Sequence, residues 1–272
     1  MTKRLSLGAW LLALCLLISG CLDSSQPVPI VTLPPATTLP QIAPSVPTPT
    51  EETTTPATAV PTTLPEHSAL YIPGLDVEQV ILYFNEVCLD TEFSYGGDAT
   101  VVQKWTEPIY YFHSGDFTPE DIAILEDFTV WLNTIEGFPG IHPTEDYLQT
   151  NMYIYFCTRE EIRGMLGDDF SYVDGGTRFW YRDNQLYDAT ICYASDAQQY
   201  VRNGVILEEI YNCLGAAQDT VLREDSIIYS HYSEPQQLTQ EDILILQLLY
   251  HPDILPGMNA TQCEEVIRRI YY

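Results

Sequence analysis

Residues 208–218 read E-E-I-Y-N-C-L-G-A-A-Q, and their types and spacing come nearer to a reactive centre than any other stretch of the chain. Side chains at i and i+4 share one helical face, so Glu208 and Asn212 are expected to point the same way. Gly215 then turns the chain and brings Gln218 towards them. Three nitrogen ligands so arranged would hold zinc tetrahedrally at about 2.0–2.1 Å. A carboxylate and two neutral amides form a hard, weak oxygen set instead, poorly matched to Zn²⁺. Glu209 occupies the general-base position beside them, but a carboxylate without a metal-activated water has no nucleophile to work on. The positions therefore predict no metal, no cofactor and no catalytic residue, with Glu208, Glu209 and their neighbours forming a polar network.

Other chemistries find less support. Adjacent Glu208 and Glu209 point about 100° apart around a helix, so their spacing does not build a shared acid–base or, with Asp219, a calcium site. The five histidines (67, 113, 142, 231 and 251) include no pair at helical ligand spacing. No G-x-S-x-G elbow, phosphate loop or dinucleotide fingerprint occurs. Cysteines 88, 157, 192, 213 and 263 show no C-x-x-C spacing, and their pairing is left open by the sequence.

The first twenty residues carry Lys3 and Arg4 and an apolar run over 5–18 that is short for a membrane span and right for a secretory signal. It ends I-S-G-C, small residues directly before Cys21, which resembles the lipobox of prokaryotic lipoproteins. Cys21 is thus expected to carry a lipid anchor, placing the chain at the cell membrane, facing the extracytoplasmic side. Residues 21–68 are rich in Thr, Pro, Ala, Val and Ser and lack Lys and Arg. Such a disordered stalk, fully extended, reaches on the order of 100 Å, and its threonines beside prolines invite glycosylation. Residues 69–272 are long enough for a single globular domain.

The whole chain has 11 basic against 38 acidic residues and a formal charge of −27. Loss of Lys3 and Arg4 makes the mature chain more acidic still. Nucleic acid is excluded as a partner, and the charge reads as a soluble extracellular surface.

Within the domain, Asp76 and Gln79 form a capping box for a first helix, and residues 105–112 read as a strand. T-P-E-D at 118–121 opens a second helix with an apolar stripe at Ile122, Leu125, Phe128, Leu132 and Ile135, ended by Gly137. Residues 151–156 are β-rich, and Thr158 with Glu161 caps a short helix. Gly175-Gly176 and Asp183-Asn184 are turn signals around paired strands at 177–181 and 186–193. A long helix over 196–214, apolar around much of its circumference, is expected to cross the middle of the domain. Thr239 opens a further helix, and Thr261 with Glu264 is expected to cap the last. The order predicts an α+β (mixed α/β) domain with a small mixed sheet, a central long helix and C-terminal helices.

The helix ending C-L-G at 213–215, the D-S-I-I-Y turn at 225–229, L-T-x-x-D at 238–242 and L-Y at 249–250 together resemble the metzincin-like metalloproteases. Those proteases carry H-E-x-x-H-x-x-G-x-x-H and a methionine turn. Here Glu208, Asn212 and Gln218 fall on the ligand positions, Glu209 on the general base, and Ile228 with Tyr229 on the turn. The chain also resembles the domain-of-unknown-function 2927 family, through E-E-x-x-N-x-x-G, the Ser-Ile turn, Tyr250, Pro252 and L-P-G-M at 255–258. The resemblance implies a metalloprotease-like fold stripped of its metal, a pseudoprotease that binds an extracellular protein, peptide or glycan in the former substrate cleft. A divergent metal- or carboxylate-dependent hydrolase and a structural cell-envelope spacer are the alternatives.

Overall fold

The computed structural model describes residues 68–89, 101–231 and 235–272. The expected signal segment, Cys21, His67 and nearly all of the expected stalk lie outside them.

The fold is mixed α/β, as the element order predicted. In chain order it comprises α1 (Val77–Leu89), β1 (Lys104–Trp105), β2 (Ile109–Gly115), α2 (Pro119–Leu132), β3 (Ile141–Pro143) and β4 (Met152–Cys157). There follow α3 (Arg159–Leu166), a 3₁₀ turn (Asp168–Phe170), β5 (Gly175–Arg182), β6 (Gln185–Ala194), α4 (Gln199–Cys213), α5 (Gln240–Tyr250) and α6 (Ala260–Ile270). The strands form one sheet in which β3, β2, β4 and β6 lie side by side in parallel, and β1 pairs in parallel with the first two residues of β6. β5 alone is antiparallel. It pairs with β6 through a two-residue turn in which Asp183 and Asn184 both have positive φ, the left-handed pair that a tight hairpin requires.

One large core fills the space between the sheet and the helices. β2, β4 and β6 send Ile109, Tyr111, Met152, Ile154, Phe156, Ala189, Ile191 and Tyr193 into it, the alternation of a half-buried strand. α4 meets them with Ile206, Ile210, Tyr211 and Cys213, all fully buried.

Local chemistry explains where the structure departs from the sequence reading. The strand expected over 105–112 breaks into β1 and β2 at Pro108, whose carbonyl is held by Asn151 Nδ2 at 3.0 Å and which has no N–H for a ladder. α2 stops at Leu132, well before Gly137, because Asn133 leaves the helix to bracket Ile141 with two side-chain hydrogen bonds of 2.8 and 2.9 Å. Gly175 and Gly176 open β5 and make no turn. A Cβ at the first would run into Val205 and Glu209, and at the second into Phe170 and Leu166, so both are glycine because helices press on the strand. α4 begins at Gln199, since Asp196 is committed to an ion pair with Arg159 at 3.2 Å. The final helix is capped by Asn259 with Gln262, two residues earlier than Thr261 and Glu264, and asparagine is the better N-cap.

Candidate functional site

The eleven residues singled out by the sequence run along the last two turns of α4 and the loop beyond it. Gly215 ends the helix at φ +105°, with no space for a Cβ against the Gln103 backbone, which is why only glycine serves there. The carbonyls that a helix end leaves unpaired are taken by two buried aromatics. Trp105 Nε1 donates to Cys213 O at 3.0 Å and the Tyr250 hydroxyl to Leu214 O at 2.9 Å. This end of α4 is thus clamped between β1 and α5.

The positions compared above with a zinc motif have different surroundings. Glu208 is half-buried, whereas Glu209 is 8% exposed and packs over Gly175 at the start of β5. Thr177 Oγ1 donates to Glu209 O at 2.9 Å, lacing β5 to the helix. Gln218 donates its backbone N–H to Val87 O of α1 at 3.3 Å, and its side-chain Nε2 turns back to Asp219 O at 3.3 Å. Asn212 Oδ1 is buried and no donor among the described residues reaches it. Among the described residues, no three His, Cys, Asp or Glu side chains gather as metal ligands. Zinc does not fit this set. The donors are oxygens, and the Gln218 amide nitrogen is engaged on its own loop.

The turn at 226–229 is held by a buried carboxylate. Asp242 is fully buried and its carboxylate accepts from Tyr83 Oη (2.6 Å), Ser226 Oγ (2.7 Å), Ile227 N (3.3 Å) and Thr239 N (2.9 Å). Tyr211 Oη of α4 donates to the Asp242 carbonyl at 3.0 Å. Ile228 is fully buried, and Tyr229 is half-buried with its ring centroid 5.3 Å from that of His231. Asp242, through its carboxylate and its carbonyl, therefore ties α1, α4, the turn and α5 together. Burial, and then the Asp242 charge, push the Tyr83 phenol well above its ordinary range. Tyr83→Phe is expected to lower stability by about 1.5–3 kcal/mol, the worth of a buried hydrogen bond to a charged acceptor. A urea midpoint within experimental scatter of the parent would remove Tyr83 from this account.

Sequence reasoning found the turn but not its hub, because Tyr83 and Asp242 are 159 positions apart. It also missed Lys104, which is 6% exposed. Its Nζ donates to Leu249 O at 2.8 Å in the last turn of α5 and to Ile254 O at 2.5 Å beyond it. Burial brings its pKa down to about 8, against a weaker upward pull from Cys263. The available signal was its singularity, since the chain has no other lysine after Lys3.

Residues 77–269 match the family described as "Protein of unknown function (DUF2927)". No curated protein matches the chain.

Proposed function

We propose, for a chain that belongs to the DUF2927 family, that it is a lipid-anchored, extracytoplasmic protein whose metzincin-like helix and turn bind an extended peptide without cleaving it. The anchor is Cys21, the stalk over 21–68 holds the domain over 69–272 away from the membrane, and an unfolded or loop segment of another surface protein is the partner.

The observation that carries this reading is Asn212, a former ligand position that now presents a buried acceptor with no donor among the described residues. A peptide N–H is the donor such an oxygen lacks, since an unsatisfied buried acceptor costs free energy until it is paired. β5 supports the same reading. Among the described residues no strand pairs with its outer edge, and it is laced to α4 beside Glu209. An extended chain added there would gain a ladder of backbone hydrogen bonds. The replacement of all three nitrogen ligands by Glu208, Asn212 and Gln218 argues for binding and against turnover.

The test uses immobilised full-length chain, a library of unstructured peptides, and zinc and calcium titrations by calorimetry. Peptides are expected to be retained intact, with no stoichiometric zinc uptake. Asn212→Leu is expected to weaken retention about fivefold to tenfold, the value of one hydrogen bond. Tight zinc binding abolished by Glu208→Ala, or peptide cleavage that Glu209→Gln abolishes, would restore the hydrolase reading. Retention of no peptide at all would leave the envelope-spacer reading.

A further inference from the structure

Away from this site, three sulfur atoms from three elements meet. Cys157 ends β4, Cys192 lies on the neighbouring strand β6, and Met165 stands on the last turn of α3, which packs across β6. Cys192 Sγ is 3.7 Å from Met165 Sδ, and Cys157 lies one diagonal step from Cys192 across the β4–β6 ladder, in the same buried cluster. The two cysteines form a small apolar cluster with Ile162, Leu166, Phe170 and Ala194. Cys157 is 8% and Cys192 0% exposed, whereas Met165 is 46% exposed and gives the cluster an opening to solvent.

We propose that Cys157, Cys192 and Met165 form a site for a soft monovalent cation of the Cu(I) class. Two thiolates and a thioether are the donors that select Cu(I) over harder ions. A metal–sulfur bond of about 2.3 Å in a trigonal plane sets its sulfurs about 4.0 Å apart, close to the 3.7 Å between Cys192 and Met165. A disulfide suits the pair less well. Cys157 pairs in register with Ala194 and Cys192 with Tyr155, so the two cysteines stand diagonally across neighbouring strands. Such diagonals place Cα atoms about 7–8 Å apart, beyond an unstrained disulfide.

Loading is a proton exchange and not a redox step. Two S–H bonds break, two Cu–S bonds form, the thioether contributes a lone pair, and two protons pass to solvent. Affinity should therefore rise with pH. The sites are 35 residues apart in sequence for the two cysteines, a spacing no short motif describes.

The test titrates Cu(I) into reduced, anaerobic full-length chain in competition with a colorimetric Cu(I) chelator. One Cu(I) per chain is expected to be retained, with proton release. Cys157→Ser and Cys192→Ser should each weaken retention by about a hundredfold or more, and Met165→Leu by about tenfold. Met165 is half-exposed, so its variant should keep the parent melting temperature even if a cysteine variant does not fold. Equal affinity in parent and Met165→Leu, or a purified chain whose Cys157 and Cys192 are joined, resist alkylation and take up no copper, would overturn the proposal.

Discussion

Removing either member of the Arg202–Asp121 pair is expected to cost about 3–5 kcal/mol, enough to unfold much of the protein at ambient temperature. Asp121 is fully buried in the first turn of α2 and Arg202 is 6% exposed in the first turn of α4. Their contact joins α2 to α4. The aspartate carboxylate also accepts from Thr118 N at 2.7 Å, closing its own helix cap, and from Gln199 Nε2 at 2.7 Å. Arg202 reaches Ser195 O at 3.2 Å and Asp116 O at 3.4 Å. Deleting one partner strands the other charge away from water, and that penalty exceeds the worth of the lost attraction. The double variant Asp121→Leu with Arg202→Met removes both charges and is expected to recover most of the loss. Urea denaturation of the two single variants and the double gives the coupling free energy. Single variants that each cost under about 1 kcal/mol would show that the pair is solvated and does not anchor α4.

That pair marks the limit of what the sequence allowed. Local rules found the caps at Thr118, Thr158 and Thr239 and the hairpin at Asp183-Asn184, because each is decided by residues three or four apart. The turn at 226–229 came instead from the family resemblance of D-S-I-I-Y at 225–229. The parallel order of β2, β3, β4 and β6 was not visible, since it is set by which crossover packs where. β3 was passed over because its three residues carry no periodicity. Within the candidate site, the eleven-residue stretch and the side-chain types at Glu208, Asn212 and Gln218 could be read directly. The partners of those residues could not. Glu209 packs on Gly175 and Gln218 bonds to Val87, contacts between elements far apart in the chain. The Asp242 hub looked like an ordinary helix-opening acid, and only the fold brings Tyr83 and Ser226 to it.

Alkaline unfolding is expected to be steep, beginning just above pH 9. Burial lifts the thiols of Cys88, Cys192 and Cys213 well above the ordinary value of 9.0, with Cys157 hydrogen bonding the larger cause at Cys192, and lifts Cys263 to about 11. Unfolding returns each to its ordinary range, so above pH 9 the unfolded chain binds fewer protons than the folded one and stability falls with pH. Each such thiol removes up to about 1.4 kcal/mol per pH unit. Lys104 acts in the opposite direction. Its folded pKa of about 8 lies below the ordinary 10.5, so the unfolded chain binds the extra proton between those values and stability rises there. Cys157, held low by Cys192, adds to that rise below pH 9. The sum predicts a level or slightly rising urea midpoint from pH 8 to 9. Above it follows a loss of about 3–4 kcal/mol per unit, four thiols opposed by one lysine. Above pH 10 the buried phenols of Tyr83, Tyr193, Tyr211 and Tyr250, all pushed upward chiefly by burial, join the loss. Against a total stability of about 5–15 kcal/mol, the fold should fail between about pH 10 and 12. Cys213→Ala should flatten the fall by about 1.4 kcal/mol per unit above pH 9 while leaving its onset in place. A midpoint unchanged to pH 10.5 would mean that these thiols titrate in the folded chain, and so that α1, β6, α4 and α6 admit water to the core they are packed to exclude.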